Sequence, residues 1–282
     1  MRVLITGGAG FIGQHIKDRL LEAQCEVTIY DICQENDVFN YYELQKAVKE
    51  HNIIIHLVGF PDAGKAQNDP MTSYELNIQS LQYVLEACRS LGSKKIIFPS
   101  SAAVYGVTQN IPVSESYQTN LSSIYSWHKH ICEEMIEAYH YNFDIDYVIL
   151  RLFNVYGKGN KGVINTFIEK AKKGEIIKVF GADQLRDFVH AIDVADAFYY
   201  SSIYWEEANN KTINIGSGEG TTIRELLQWI TEIHSMTSIE YEEAPLVAYD
   251  SIADISLAKA LLDFSPKIPK SFIKETFRSE MT

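Results

Sequence analysis

The chain of 282 residues has few cysteines and no closely spaced pair of them. The four cysteines are Cys25, Cys33, Cys88 and Cys132. This spacing lacks the Cys-x-x-Cys pairs of common zinc sites and the dense pattern of a disulfide framework. We therefore expect reduced thiols that serve in packing, and no bound metal.

Long apolar runs and an excess of positive charge are also missing. No apolar stretch approaches the ~20 residues that a membrane-spanning helix needs, and glycines interrupt the N-terminal "MRVLITGGAGFIG", unlike a signal peptide. The formal net charge of -12 argues against a nucleic-acid surface, which needs basic stripes. We expect a cytoplasmic protein that binds neither membranes nor nucleic acids.

Short β-branched runs alternate with amphipathic stretches over the first half of the chain. The runs that predict strands are 2–6, 26–30, 53–58, 94–100 and 146–152. The stretches that predict helices are 11–24, 41–50, 72–91 and 124–140. In the last of these, Ile124, Trp127, Ile131, Met135 and Tyr139 recur at helical spacing and form an apolar stripe. The alternation is typical of an α/β fold with a doubly wound parallel sheet.

The composition changes after about residue 155. A glycine- and lysine-rich loop, "GKGNKG", precedes a predicted helix, and short strand-like pieces such as "IIKVF" and "TINIG" follow. We therefore expect a second, smaller lobe of mixed α/β structure, built mostly from the C-terminal half.

A glycine loop joins the first predicted strand to the first predicted helix. Gly8, Gly10 and Gly13 satisfy Gly-x-Gly-x-x-Gly, and Gly7, Gly10 and Gly13 satisfy Gly-x-x-Gly-x-x-Gly. Between a strand and a helix, such glycines allow a tight turn and let a pyrophosphate approach the helix N-terminus. The loop predicts a dinucleotide site; a glycine-rich turn without a ligand is the alternative.

The second predicted strand ends at Asp31, 18 residues beyond Gly13. A carboxylate there accepts hydrogen bonds from both ribose hydroxyls and repels a 2′-phosphate, so it favours NAD over NADP. Asp37 either holds the adenine end or starts the next helix, near the positive end of its dipole. Only six positions separate the two aspartates, so we expect a trimmed adenosine pocket.

Tyr125 and Lys129 stand four residues apart on one predicted helix face. Two residues at this spacing are often only neighbours on the helix surface. Here, however, a serine cluster, "PSSAAVYG", ends another predicted strand. Strand ends are where an open α/β sheet places ligand-contacting groups. Tyrosine has an ordinary pKa of ~10, and we expect the lysine ammonium and a positive nicotinamide ring to lower the pKa of Tyr125. Serine, tyrosine and lysine around a nicotinamide suit oxidation and reduction of an alcohol.

Nine motifs together cover nearly the whole chain. They are "TGGAGFIG", "HLVGF", "DPMTSYELNIQS", "SSAAVYG", "YSWHK", "RLFNVYG", "RDFVHAIDVADA", "NIGSGEGTTIREL" and "ADISLAKALL". With these motifs the chain resembles an extended short-chain dehydrogenase/reductase of the NAD-dependent epimerase/dehydratase family, similar to the UDP-glucose 4-epimerases, which act on nucleotide sugars.

The resemblance implies roles for individual residues. Tyr125 would be the acid/base, Lys129 would bind the nicotinamide ribose and tune Tyr125, and Ser101 would hydrogen-bond the reacting oxygen. Asn77 would lie near the nicotinamide ribose. The remaining residues expected to contact NAD are Phe11, Ile12, Val38 and Leu57.

For the substrate, the resemblance implies that Asn154 and Arg186 hold the diphosphate, and that the segment beginning at Val163 covers the base. A salt bridge from Arg186 to Asp183 or Asp187 is the alternative for that arginine. Asn154 could equally be a turn residue.

The resemblance also implies a division of the chain and a homodimer. The NAD-binding Rossmann domain would comprise 1–155 and a returning segment of about 187–215, and the nucleotide-sugar lobe would comprise 156–186 and 216–282. Two copies would pair through helices 72–91 and 124–140, although the protein's own core would satisfy the apolar stripe equally well.

Two departures from the family pattern bear on the reaction. Ala102 and Ala103 stand where the related dehydratases carry an acid pair, so no carboxylate is available there for elimination of water. This favours 4-epimerisation of a UDP-hexose through a transient 4-ketosugar. A 4-ketoreductase using NADH or NADPH on a dTDP- or GDP-linked deoxysugar, and a non-catalytic nucleotide-binding protein, are the alternatives.

The second departure is Ala244, at the place where relatives commonly carry an arginine that grips the diphosphate. Either another cation, such as Lys158 or Lys161, compensates, or the ligand is held differently.

Overall fold

The computed structural model describes residues 1–92, 94–242 and 249–281. The strands are β1 (Arg2–Thr6), β2 (Glu26–Tyr30), β3 (Ile53–His56), β4 (Lys95–Ser101), β5 (Asp146–Leu152), β6 (Asn154–Tyr156), β7 (Ile177–Phe180), β8 (Leu185–His190), β9 (Lys211–Ile215), β10 (Gly220–Thr222) and β11 (Ile239–Glu242). The helices are α1 (Phe11–Glu22), α2 (Tyr41–Lys49), α3 (Ala63–Asn68), α4 (Pro70–Tyr74), α5 (Ser80–Ser90), α6 (Ile124–Phe143), α7 (Val163–Lys173), α8 (Ala191–Ile203), α9 (Trp205–Ala208), α10 (Ile223–Ile233), α11 (Ser256–Leu262) and α12 (Phe272–Met281).

Six strands form a parallel sheet in the order β2-β1-β3-β4-β5-β9. Both faces are covered, because successive side chains of a strand point to opposite sides. In β1, Val3 and Ile5 pack in one hydrophobic cluster, whereas Leu4 packs in the other. The order reverses between β1 and β3, and ligands of such sheets bind beyond the strand ends near this switch. The predicted doubly wound α/β sheet is confirmed.

The smaller lobe has two sheets of its own and a separate core. One sheet has the order β10-β8-β6, and the other pairs β11 with β7. Side chains of α7, α10 and α12 pack together here, among them Phe167, Ile230 and Phe277. The predicted mixed character of this lobe is also confirmed.

The stretch predicted as one helix over 72–91 is interrupted. A π-helix, Glu75–Gln79, separates α4 from α5. A π-turn inserts an extra residue and is frequent at functional sites, but it leaves no mark in the hydrophobic periodicity. The interruption contains Asn77.

The apolar stripe predicted on α6 is only partly buried: Ile131, Met135 and Tyr139 pack against the core, but the most buried face of the helix lies beside the stripe. The most buried positions of α6 include Lys129, Cys132, Glu133 and Ile136. Trp127, a member of the stripe, is 52% exposed. Packing against β4, β5 and the π-helix decides the buried face, and three of these four positions carry polar side chains or a thiol that find specific partners there.

Among the described residues, none of the helices combines the length and the apolar character that crossing a membrane requires. The four cysteines are free thiols. Within the same ranges, no group of three or more His, Cys, Asp or Glu side chains is arranged to hold a metal ion.

Candidate active site

In the glycine loop between β1 and α1, Gly7 and Gly13 are packed too tightly for a side chain. A Cβ on Gly7 would lie 2.6 Å from the amide nitrogen of Val58, and Gly7 has a φ of +71°. A Cβ on Gly13 would lie 2.5 Å from the carbonyl oxygen of Gly8. Gly10 occupies the N-cap of α1, so no side chain caps that end. The uncapped amides and the helix dipole suit a phosphate.

Asp31 lies at the end of β2, beside this loop. Its carboxylate accepts hydrogen bonds from the amides of Ala9 (2.9 Å) and Cys33 (3.0 Å). An ionised carboxylate has about four acceptor positions, so two remain for ribose hydroxyls. Asp37 is exposed, and its carboxylate accepts a hydrogen bond from the amide of Phe39 (2.9 Å), as a turn residue does.

A cavity of about 1040 Å³ runs along the carboxyl ends of the strands. This is at the upper end of the ~300–1,000 Å³ usual for ligand sites, which suits a dinucleotide. The predicted site residues in its lining are Gly7, Gly10, Phe11, Ile12, Gly13, Asp31, Asp37, Val38, Leu57, Asn77, Ser101, Tyr125, Lys129 and Asn154. Two predicted substrate residues, Val163 and Arg186, lie outside it.

Tyr125 lies in the first turn of α6, and a capping box sets where that turn begins. The Ser123 hydroxyl accepts a hydrogen bond from the Ser126 amide (3.1 Å), and the Ser126 hydroxyl accepts one from the Ser123 amide (3.0 Å). This reciprocal pair fixes the start of the helix two residues before Tyr125. The tyrosine is thereby held opposite the end of β4.

Tyr125 and Ser101 line the same stretch of the cavity. Burial raises the pKa of Tyr125, and the Ser101 side chain lowers it in part. Desolvation of the phenolate therefore dominates in the protein alone, and the lowering expected from a bound nicotinamide stays a prediction. The Ser101 hydroxyl oxygen also accepts a hydrogen bond from the Ala103 amide (3.2 Å), which orients it.

Lys129 is buried one turn further along α6. Its Nζ donates a hydrogen bond to the carbonyl oxygen of Pro99 (2.9 Å) and lies 4.7 Å from the centre of the Phe98 ring. Burial lowers the pKa of Lys129, and the charge of Glu133 opposes that change. The lysine is held in one place beside the cavity.

Glu133 ties α6 to β5 through a buried ion pair. Arg151 forms two hydrogen bonds with its carboxylate, from Nε (2.9 Å) and from Nη2 (2.7 Å). The guanidinium also donates to the Tyr105 hydroxyl (3.1 Å). Because Glu133 follows Lys129 by one turn, this pair fixes the helix that carries Tyr125 and Lys129.

Asn77 is buried in the π-helix and faces the same cavity. Its side-chain oxygen accepts a hydrogen bond from the Phe60 amide (3.2 Å), and its nitrogen donates to the Ser73 carbonyl oxygen (2.9 Å). A Cβ on Gly59 would lie 2.9 Å from that side-chain oxygen. The loop after β3 can therefore approach only because residue 59 is glycine.

Arg186 forms neither of the two salt bridges that the sequence offered as the alternative to a diphosphate contact. Asp183 forms its ion pair with Arg224 (2.7 Å), and Asp187 is buried and accepts hydrogen bonds from Ser217 and from backbone amides. The expected salt bridge to either aspartate is therefore wrong. Arg186 instead donates to the backbone carbonyl oxygens of its neighbour Leu185 and of residue 249.

Of the other two residues expected to contact the substrate, Asn154 lines the cavity and Val163 does not. Asn154 lines the cavity, and its side-chain nitrogen donates to the Asp187 carbonyl oxygen (2.9 Å), which links β6 to β8. Val163 begins α7 and packs against the core of the smaller lobe. Ala244 lies outside the described residues.

Some residues of the cavity wall were not predicted. Ser100 is buried beside Ser101, lines the cavity, and its hydroxyl has no hydrogen-bond partner among the described residues. Its place in the serine cluster is the signal that could have found it. Phe153 and Gly59 also line the wall, and their places in the motifs "RLFNVYG" and "HLVGF" are the signals that could have found them.

Gly7→Ala is expected to destabilise the protein more than Gly92→Ala. Both glycines have a φ above +70°, where an L-residue costs about 1–2 kcal/mol, but only Gly7 has backbone atoms within 3 Å of the added Cβ. Overpacking adds about 1–3 kcal/mol. Urea unfolding of both variants measures the difference. Equal losses of stability would show that the loop yields and that close packing does not require glycine.

The sequence is similar to those of known proteins over most of its length. The sequence model of the NAD dependent epimerase/dehydratase family matches residues 3–216. A Methanocaldococcus jannaschii protein, provisionally named a UDP-glucose 4-epimerase, is 35% identical over 250 residues, which is 81% of each chain.

Two solved structures are similar over the whole chain. The UDP-glucose 4-epimerase of Thermotoga maritima, solved with UDP-glucose, is 27% identical with a TM-score of 0.87, over 100% of this chain and 97% of that one. The UDP-glucuronic acid 4-epimerase of Bacillus cereus, solved with UDP-glucuronic acid and NAD, is 27% identical with a TM-score of 0.91, over 100% and 99%.

Proposed function

The chain belongs to the NAD dependent epimerase/dehydratase family, and on that premise we propose that it is a 4-epimerase of a UDP-linked hexose. The main observation in support of the proposal is that the expected catalytic residues and the expected NAD-binding residues line one cavity. Tyr125, Ser101 and Lys129 line the same cavity as the glycine loop and Asp31. A proton-transferring group and a dinucleotide cradle therefore face one space.

Residues of this wall fit NAD. The glycine loop and the uncapped start of α1 would hold its pyrophosphate, Asp31 its adenosine ribose, and Lys129 and Asn77 its nicotinamide end. When bound, NAD would take a hydride from C4 of the sugar and return it to either face of the resulting ketone. The chemistry left to the protein is proton transfer and orientation.

Tyr125 would remove the proton from the sugar hydroxyl and later return it. Ser101 lines the same cavity and affects the pKa of this phenol, so the two hydroxyls would offer a donor and an acceptor to one sugar oxygen. The nearby cation of Lys129, together with the bound nicotinamide, would stabilise the phenolate against the burial that raises its pKa. Because residues 102 and 103 are both alanine, neither supplies a carboxylate for dehydration.

The test is turnover without added cofactor. Purified protein is incubated with UDP-glucose, UDP-galactose and their N-acetylated counterparts in D2O, and the products are resolved by proton NMR. We expect one pair of 4-epimers to reach a fixed ratio, with hydrogen rather than deuterium at C4, because the hydride never exchanges with solvent.

Two results would contradict the proposal. Deuterium at C4 would indicate exchange of a carbon-bound proton with solvent rather than return of the same hydride. No epimer, but consumption of added NADH or NADPH with a 4-ketosugar nucleotide, would assign the ketoreductase function instead.

A further inference from the structure

The cavity wall has few positively charged side chains, although the ligands proposed for it are strongly negative. NAD and a UDP-sugar each carry a diphosphate, and diphosphates are bound by lysine, arginine and backbone amides. Among the described residues, the cationic side chains in the cavity lining are Lys129 and Lys161. Lys129 already donates to the Pro99 carbonyl oxygen, so Lys161 is the lining cation without such a partner.

The arginine expected at the diphosphate is engaged elsewhere. Arg186 lies outside the cavity lining, its guanidinium donates to two backbone carbonyl oxygens, and it lies 4.7 Å from the ring of Tyr249. Position 244, where the family resemblance implies a second arginine, is alanine. Neither position offers a free cation to the described cavity wall.

The loop that carries Lys161 is held against the cavity at both ends. At its start, a Cβ on Gly157 would lie 3.3 Å from the ring of Phe11, the first residue of α1. Near its end, the Asn160 side chain donates to the Val155 carbonyl oxygen and accepts a hydrogen bond from the Lys161 amide (2.7 Å). These contacts fold the loop back over β6 and leave Lys161 at the cavity wall.

Lys161 forms no ion pair with any residue in the ranges 1–92, 94–242 and 249–281. Lys158, three residues earlier in the same loop, is exposed and equally unpaired there, but it is not part of the cavity lining. The two lysines therefore differ in position and not in chemistry. Lys158 is the matched control.

We propose that Lys161 is a diphosphate-binding residue of this cavity. The inference rests on the proposed function for the identity of the substrate, a uridine diphosphate. The same chemistry could be offered by the pyrophosphate of NAD, because the loop lies against the start of α1. One experiment separates these two sources.

The experiment is calorimetric titration of the full-length protein, with UDP and with uridine at saturating NAD, and with NAD after nucleotide has been removed. For Lys161→Gln we expect UDP to bind about 10- to 100-fold more weakly, as for the loss of one hydrogen bond to a charged group. Uridine has no phosphate, so its affinity is expected to change less than twofold. Lys158→Gln is expected to bind all three compounds as the wild type does, and Lys161→Arg to retain most of the UDP affinity.

Each outcome decides the proposal. Weaker binding of NAD with unchanged UDP supports Lys161 as a diphosphate ligand and assigns the cofactor as its source. If Lys161→Gln weakens neither compound more than Lys158→Gln does, the proposal is overturned. A wild-type protein that binds NAD but not UDP would contradict the proposed function, while the NAD titration would still decide the role of Lys161.

Discussion

Tyr125→Phe is expected to lower kcat for epimerisation by about 10²- to 10⁴-fold, the usual contribution of a positioned acid/base. Phenylalanine keeps the ring in the first turn of α6 but has no proton to exchange with the sugar oxygen. The hydroxyl of Ser101 would remain, with no partner able to take its proton. The measurement is the initial rate of epimer formation at saturating substrate.

The amount of bound NAD distinguishes a variant that has lost only the proton transfer from one whose binding site is damaged. NAD released from the denatured variant is expected to match the wild type, because the glycine loop and Asp31 are untouched. Tyr141→Phe is the matched control, since this tyrosine is on the same helix and is 88% exposed. A kcat for Tyr125→Phe within tenfold of the wild type would assign the proton transfer to another group.

Glu133→Gln is expected to lower the free energy of unfolding by about 3–5 kcal/mol, which is typical when one partner of a buried ion pair is removed. The variant leaves the Arg151 guanidinium buried without its countercharge, since both side chains are almost inaccessible. The expected effect is large for a protein whose total stability is of the order of 5–15 kcal/mol. Urea unfolding followed by circular dichroism gives the value.

Two further variants show that burial, and not pairing alone, causes the loss. Asp183→Asn breaks an exposed ion pair with Arg224 that also has two hydrogen bonds, and it is expected to cost less than about 1 kcal/mol. The double variant Glu133→Leu with Arg151→Met removes both charges and is expected to recover a large part of the stability. A loss for Glu133→Gln no larger than that for Asp183→Asn would show that water reaches the pair.

Local patterns predicted the sheet well because they depend on near neighbours. The predicted runs 2–6, 26–30 and 146–152 coincide with β1, β2 and β5. Burial on both faces requires a continuous apolar run, and such a run is visible in the sequence itself. The glycine loop was predictable for a related reason, because a turn without room for a Cβ requires glycine.

The apolar stripe of α6 shows what local sequence patterns do not predict. Periodicity identifies an apolar face, but the neighbours decide which face is buried. Here the buried face carries Lys129 and Glu133, whose partners are the Pro99 carbonyl oxygen and Arg151. These partners are 30 and 18 residues away, so no local pattern reports them.

The α/β class, the glycine loop followed by Asp31, and the tyrosine–lysine pair could all be recognised in the sequence, because each lies within one strand–loop–helix unit or one helical turn. The three-dimensional packing was needed to show that Ser101 and Tyr125 line one cavity, that burial raises the pKa of the phenol, and that Arg186 lies outside the cavity lining while Lys161 belongs to it. Desolvation and side-chain pairing depend on which segments, distant along the chain, pack together. The sequence does not give the distances between those segments.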